Sequence, residues 1–486
     1  MAEFMSNSDA FTWAMEADPR LRSTIVSLLI LDERPDWDAV THRFDRLSRV
    51  LPVFRQRVVA SPVLAPPRWE YDPDFDLDYH VRRIAAPPPA DTDALLELCR
   101  VAAMESFDTA RPLWHVTLVD GLADGRAAMI SKVHHALTDG IGGIQIGMTL
   151  FDLQPEAPTP ELPDPPGGVV ADRWDEYRAA LRYGAGLLGS AVTGALTAAP
   201  RLFYDGLRDP RGAVVEVAET AASVYRTVRP ISRTGSPLMK ERTLIRDLST
   251  YSVPMAQLRA VANARGAALN DAFLAGVTGG LRRYHEQHGS QIDELHLTMP
   301  ISLRTEADAM GGNHITLMRF DVPAGEPDPA TRIERIHRRV RRVRSEKSLP
   351  YTQLIAGALN LVPREVLGSV LTRVDFLASD VPGIPVPVFL GGARVVEQYA
   401  FGPTIGAAVN VTLLTYVDTC AFGIDIDGGA IPDPAVFHRC LVEGFAEVLA
   451  LAANDTARAD LARRAARAFG HPCAWVPASD AATTAA

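Results

Sequence analysis

RPLWHVTLVDGLADGRAAMISKVHHALTDG, Arg111 to Gly140, is the stretch on which the reading of this chain turns. Trp114 to Val119 has the alternation of a strand, Asp120 to Gly125 carries turn residues, and Ala127 to Val133 resumes as a strand, a hairpin signal. The second strand delivers the chain to His134, and Ile141 to Leu153 then has helical spacing, so HHALTDG sits at a strand-to-helix junction. His134, His135, Asp139 and Gly140 form an HHxxxDG pattern. Composition alone would produce such a match in a chain of this length with a probability on the order of one in a thousand.

Transfer from an activated acyl donor to a hydroxyl suits this arrangement, because a hydroxyl is a poor nucleophile until its proton is taken. An imidazole titrates near neutrality, accepts that proton and returns it to a thiolate leaving group, a role worth roughly 10² to 10⁴ in rate. His135 is the candidate base. Asp139, one turn on, is read as holding the loop through a buried ion pair, with Arg55 and Arg57 as candidate partners. Gly140 fits a sharp backbone turn. The competing readings are weaker. Adjacent side chains leaving a strand point to opposite faces, so the two histidines do not suit one metal. No GxSxG elbow occurs anywhere, which removes the usual mark of a serine hydrolase.

Upstream of the hairpin, Ser23 to Leu31 reads as a strand, Trp37 to Leu51 as a helix stopping before Pro52, and Asp91 to Met104 as a helix capped by Asp91 or Thr92. Downstream, Pro155 to Pro166 is proline-rich and marks a linker, and about 172–228 looks helical and weakly amphipathic. Helices are expected at Met255 to Ala264 and Asn270 to His285. Strands are expected at Leu295 to Ile301, His314 to Val322, Thr404 to Leu414 and Thr419 to Ile426. The domain division expected from this pattern is 1–155, a linker and helical segment over 156–240, a second α/β domain over 241–455, and a partly disordered tail over 456–486.

The 486 residues, 47% hydrophobic and 22% charged, have ample core for two domains. A formal charge of −10 argues against a nucleic-acid partner. Cys99, Cys420, Cys440 and Cys473 lack CxxC pairing, as expected of a reduced cytoplasmic protein. The opening MAEFMSNSDA has no apolar core of a secretory signal, and Met5 is read as an alternative start. Tyr183 to Pro200 is uncharged but rich in small residues, and is read as a helix packed on the protein or lying at a membrane surface rather than a span.

Arg111 to Leu122 followed by Ser131 to Gly140 resembles the bacterial wax ester synthase / acyl-CoA:diacylglycerol acyltransferase family. Further matches are SDAFTWAME near the N-terminus, LNDAFLA from Leu269, MPISLR from Met299, GGNHITL from Gly311 and SDVPG from Ser379. The resemblance implies an α/β fold of two chloramphenicol-acetyltransferase-like domains joined by a helical linker, with the active-site channel at their interface. It implies long-chain acyl-CoA as a substrate rather than a cofactor, and diacylglycerol or a fatty alcohol as acceptor, with no metal. Residue by residue it makes His135 the base and His134 and Asp139 motif supports, and it marks Glu16, Trp114, Asn270 and Arg304. Each of three has a structural reading beside it: Trp114 as a core aromatic, Asn270 as a helix N-cap and Arg304 as an interface ion pair. The expected location is cytoplasmic, peripheral on a membrane or lipid droplet.

One position departs from the family pattern: Asp380 stands where Asn is usual, and Ile384 replaces the last proline of Ser-Asn-Val-Pro-Gly-Pro. Asn donates and accepts hydrogen bonds, whereas ionised Asp only accepts. The basic segment Asp328 to Lys347 reads as a helix with Ile333, Ile336, Val340 and Val343 on one face, either a solvated charged surface or a grip for anionic membrane or coenzyme A phosphates. Two further readings stay open: a condensation-type or small-molecule acyltransferase, and a lipid-binding protein of the same fold without catalysis.

Overall fold

A computed structural model describes residues 3–61, 65–137, 140–167, 174, 177–183, 233–302, 315–345 and 371–452. Asp139, Arg304, Cys473, the tail beyond 452 and most of the helical segment expected before 233 lie outside these residues; within that segment 177–183 is helical. The fold is mixed α/β, built on two six-stranded sheets.

The first sheet holds the hairpin, β6 (Trp114–Asp120) and β7 (Ala127–His134), with β2 (Thr24–Leu31) antiparallel to β7 and β5 (Val81–Ala85) parallel to β6. Its other edge comes from far along the chain: β13 (Ala393–Phe401) pairs antiparallel with β2, and β12 (Phe389–Leu390) pairs with β13. The second sheet runs in the order β10 (Ile315–Val322), β9 (Leu295–Ser302), β11 (Phe376–Val381), β14 (Val409–Tyr416), β15 (Thr419–Asp427) and β8 (Arg246–Pro254). Residues 389–401 therefore belong to the sheet begun by the N-terminal half. A small third sheet joins β1 (Glu3–Phe4), β4 (Arg68–Tyr71) and β3 (Gln56–Val59).

Helices cover the sheets because each has one apolar stripe to bury. The first sheet receives α1 (Asn7–Met15), α2 (Trp37–Val50), the single turn α3 (Leu77–His80), α4 (Thr92–Met104) and α5 (Gly140–Leu150). Alternation splits β2 between two cores: Val26, Leu28 and Ile30 pack with Leu95 and Cys99 of α4, while Leu29 and Leu31 pack with Phe44 and Leu47 of α2. On the second sheet lie α6 (Met255–Asn263), α7 (Leu269–Gln287), α8 (Pro329–Arg344) and α9 (Pro434–Ala450). Helices α7 and α9 approach so closely that a Cβ on Gly444 would lie 2.3 Å from the Gly280 nitrogen, so both positions need glycine.

Three expected elements shift. The helix after the motif ends at Leu150 rather than Leu153, because Asp152 leaves it to bridge Phe389 and to pair with Arg43 at 2.6 Å. The strand expected from Thr404 begins at Val409, since Ile405 and Gly406 turn the chain at φ of 45° and 80°. Helix α7 starts at Leu269, so Asn270 lies inside its first turn and does not cap it. Ala268 occupies that cap position, and its N–H donates to the Asp271 carboxylate at 2.8 Å.

Candidate active site

Strand β7 ends at His134, and the backbone then turns: the N–H of Leu137 donates to the His134 carbonyl at 2.9 Å. The turn is pinned from outside, with His134 N–H on the Leu113 carbonyl at 3.0 Å and His135 N–H on the Ser23 carbonyl at 2.9 Å. By alternation the two imidazoles take opposite sides of the sheet.

His134 is fully buried between the rings of Trp13 and Phe107, centroids 5.6 and 5.9 Å away. Its Nδ1 accepts the Ala136 N–H at 3.1 Å, which leaves the ring proton of the neutral form on Nε2, 3.3 Å from Glu16 Oε2. Glu16, at the end of α1, accepts the Ser23 N–H at 3.3 Å and faces Arg22 at 3.7 Å. Glu16, His134 and Ser23 thus form one polar knot behind the turn that carries His135. Beside it Lys132 donates to the Glu105 carbonyl at 2.9 Å; burial pulls its pKa down to about 8, opposed by the nearby Glu105 and Glu16 carboxylates.

On the other face His135, half-buried, lines a cavity of about 320 Å³. One end lies between the first sheet and its helices and is apolar, walled by Phe44, Leu47, Phe54, Met129, Leu150 and Phe151. Trp114 closes it, 1% exposed, with its indole N–H on the Phe54 carbonyl at 2.9 Å and its ring stacked on His80 at 4.5 Å. Burial holds His80 down to about 4, so that stacked ring is neutral at pH 7. Trp114 is therefore both a core aromatic and a wall of the cavity.

The cavity extends to the second sheet, whose Ser379, Asn410 and Thr412 line it together with Gln398 of β13. Ser27 and Ser131, directly opposed across β2 and β7, add hydroxyls on the His135 side. These polar positions escaped the sequence reading. The signal available was a serine within the apolar run of each of two strands, but only the strand pairing sets the two side by side.

Asp380, at the end of β11, also lines the cavity. Surrounding protein pushes its pKa up to about 6, with the Arg344 charge opposing and the Asp271 carboxylate reinforcing the rise. Asn270 is 6% exposed in α7, and its amide nitrogen has no hydrogen-bond partner among the described residues. Arg55 pairs with Asp45 at 2.8 Å and Arg57 with Glu70 at 3.2 Å; Asp139, whose candidate partners they are, lies outside the described residues. Among the described residues no group of three or more His, Cys, Asp or Glu could hold a metal ion, and no helix is long and apolar enough to cross a membrane.

Residues 5–273 match the model of the wax ester synthase/diacylglycerol acyltransferase catalytic domain, and residues 311–448 match the model of the WS/DGAT C-terminal domain. A protein of Mycobacterium tuberculosis named as a diacylglycerol O-acyltransferase is 37% identical over 447 residues, 91% of each chain. Another of that species, similarly named, is 28% identical over 455 residues, covering 91% of this chain and 94% of the relative. Among solved structures, a wax ester synthase/diacylglycerol acyltransferase from Marinobacter aquaeolei VT8 superposes with a TM-score of 0.62 at 21% identity, covering 93% of this chain and all of that one. The starter condensation domain of rhizomide synthetase superposes with a TM-score of 0.59 at 12% identity, covering 94% and 95% of the two chains. The fold is the one these proteins share.

Proposed function

The chain belongs to the wax ester synthase/diacylglycerol acyltransferase family and is an acyltransferase, and from that premise we propose that it moves a long-chain acyl group from acyl-CoA to a lipid hydroxyl, with His135 as general base. The acceptor is diacylglycerol, giving triacylglycerol, or a fatty alcohol, giving a wax ester. The observation that carries this reading is the position of His135: a half-buried imidazole at the wall of a cavity whose inner end is built from apolar side chains.

The chemistry follows from the donor and acceptor. His135 takes the hydroxyl proton as the oxygen attacks the thioester carbonyl, the tetrahedral intermediate collapses with loss of the coenzyme A thiolate, and the imidazolium returns the proton to sulfur. No acyl-enzyme is needed, since the hydroxyl attacks directly and no residue acts as nucleophile. His134 and Glu16 serve as positioning residues, because they fix the turn from the far side of the sheet rather than entering the cavity. Trp114 shapes the apolar end. Asp139 and Arg304 keep the supporting roles that the family resemblance gives them. Acyl-CoA acts as a substrate, and the protein meets its acceptor at a lipid surface.

The test is an ester-product assay with labelled palmitoyl-CoA, offering diacylglycerol and hexadecanol separately. Ester from either alcohol upholds the reading and identifies the acceptor; bound acyl-CoA without ester from either would instead indicate a lipid-binding protein of this fold.

Asp380, an exposed residue at the cavity wall, is expected to give the activity a pH limb. Its carboxyl is protonated and able to donate below about 6, and ionised and able only to accept above it. An asparagine side chain at this position would donate at every pH. Asp380→Asn is therefore expected to raise kcat/KM at pH 7.5 by about three- to tenfold, the worth of one hydrogen bond, and to change it little at pH 5. Parallel pH profiles of the two proteins across pH 5 to 8 would rule out this role for Asp380.

A further inference from the structure

Helix α8 carries seven arginines in its 16 residues, in a chain of formal charge −10. Arg332 is buried and tied to Glu447, and Ile333, Ile336 and Val340 form the stripe packed against the core. The outward face presents Arg335, Arg338, Arg339 and Arg342, which line a shallow groove of about 360 Å³.

Two of these four have acidic partners: Arg335 lies 3.1 Å from Glu326, and Arg339 pairs with Glu294. Arg338 and Arg342 are exposed and, among the described residues, have no carboxylate within 4 Å. The spacing i, i+3, i+4, i+7 stacks like charges one turn apart, an arrangement that weakens a helix. Arg341, Arg342 and Arg344 offset this by complementing the negative C-terminal end of the helix dipole, an effect confined to the last turn. Arg335, Arg338 and Arg339 lie outside its reach.

We propose that this arginine face docks the enzyme on an anionic phospholipid bilayer. The inference rests on the reading that the acceptor is a lipid alcohol, which has to be collected from a lipid surface. No described helix can cross a membrane, so attachment through these residues is peripheral. A row of outward guanidinium groups suits a plane of phosphates. A pocket for the phosphates of one coenzyme A would be expected to have apolar walls as well, and among the described residues this groove is lined by arginines alone. The chain's overall negative charge leaves the arginine face as a local exception that orients the molecule on the membrane.

The experiment is cosedimentation of the full chain with vesicles of phosphatidylcholine alone and of phosphatidylcholine mixed with phosphatidylglycerol. Binding is expected only to the anionic vesicles and should weaken as salt rises, because exposed charges are screened beyond about 10 Å at 0.1 M. Each basic side chain contributes about a fivefold gain in partitioning, so Arg338→Glu with Arg342→Glu, a loss of four charge units, should weaken binding on the order of 100-fold or more. Arg338→Lys with Arg342→Lys should retain it. Equal binding by wild type and the Glu variant, or no preference for anionic vesicles, overturns the proposal. So does unchanged vesicle binding with a raised KM for octanoyl-CoA, measured with a water-soluble alcohol, which would assign the groove to coenzyme A phosphates. Wild-type protein that binds anionic vesicles but makes no ester would leave the docking surface standing and remove the proposed donor and acceptor.

Discussion

His135→Ala is expected to lower the turnover number for ester formation by roughly 10²- to 10⁴-fold, the worth of a positioned general base. The fold should survive, because the N–H of this residue on the Ser23 carbonyl at 2.9 Å is a backbone bond that alanine keeps. His134→Ala provides the contrast. It removes the acceptor of the Ala136 N–H and leaves the Glu16 carboxylate without the imidazole beside it, so stability as well as turnover should fall. Turnover is read from labelled ester and folding from the urea midpoint of each variant. Near-normal turnover by His135→Ala with intact fold would remove the general-base assignment and leave the base to be sought among the other polar groups of the cavity.

Glu447→Ala is expected to cost about 3–5 kcal/mol of stability, the penalty for stranding a buried charge. Its partner Arg332 is fully buried, bonded also to the carbonyls of Ala275 at 3.0 Å and Glu326 at 2.8 Å. Burial pulls the Arg332 pKa down, but a guanidinium does not lose its proton, so the charge has no route to neutralise itself. Glu447 also meets Arg283 at 2.7 Å and Arg282 at 3.5 Å, so the variant leaves three cations around one lost carboxylate. Urea unfolding measures the loss. The apolar pair Arg332→Met with Glu447→Leu should recover much of it, since both buried charges then go together. A loss below about 1 kcal/mol in Glu447→Ala, the range of an exposed pair, would mean that water reaches Arg332.

The hairpin, the helix ending before Pro52 and the helix capped by Asp91 were legible because their information is local. Periodicity of two or 3.6, a proline stop and a carboxylate cap are properties of neighbouring residues. The Asp91 carboxylate accepts the Ala94 N–H at 2.9 Å, as such a cap should. His135 was legible for the same reason, since its pattern occupies seven consecutive positions. Asn270 misled as a cap because Asn is common there. The helix instead begins one residue before it, where the Asp271 side chain reaches back to the Ala268 N–H.

By itself the sequence determined the α/β character, the strand-to-helix junction that exposes His135 and the resemblance to an acyltransferase family. Tertiary structure alone decided that residues 389–401 complete the first sheet, that Ser27 faces Ser131, and that residues from both sheets close one cavity around His135. The β13 edge was hidden because strand pairing is a contact between backbones: Gln398 meets Leu29 across more than three hundred and sixty residues of chain. Nothing in the immediate neighbours of either residue names the other. The surroundings of Glu16 and Lys132 were hidden likewise, since a charge acquires its meaning from the groups packed around it, and burial, which pulls Lys132 down to about 8, exists only once the chain has folded.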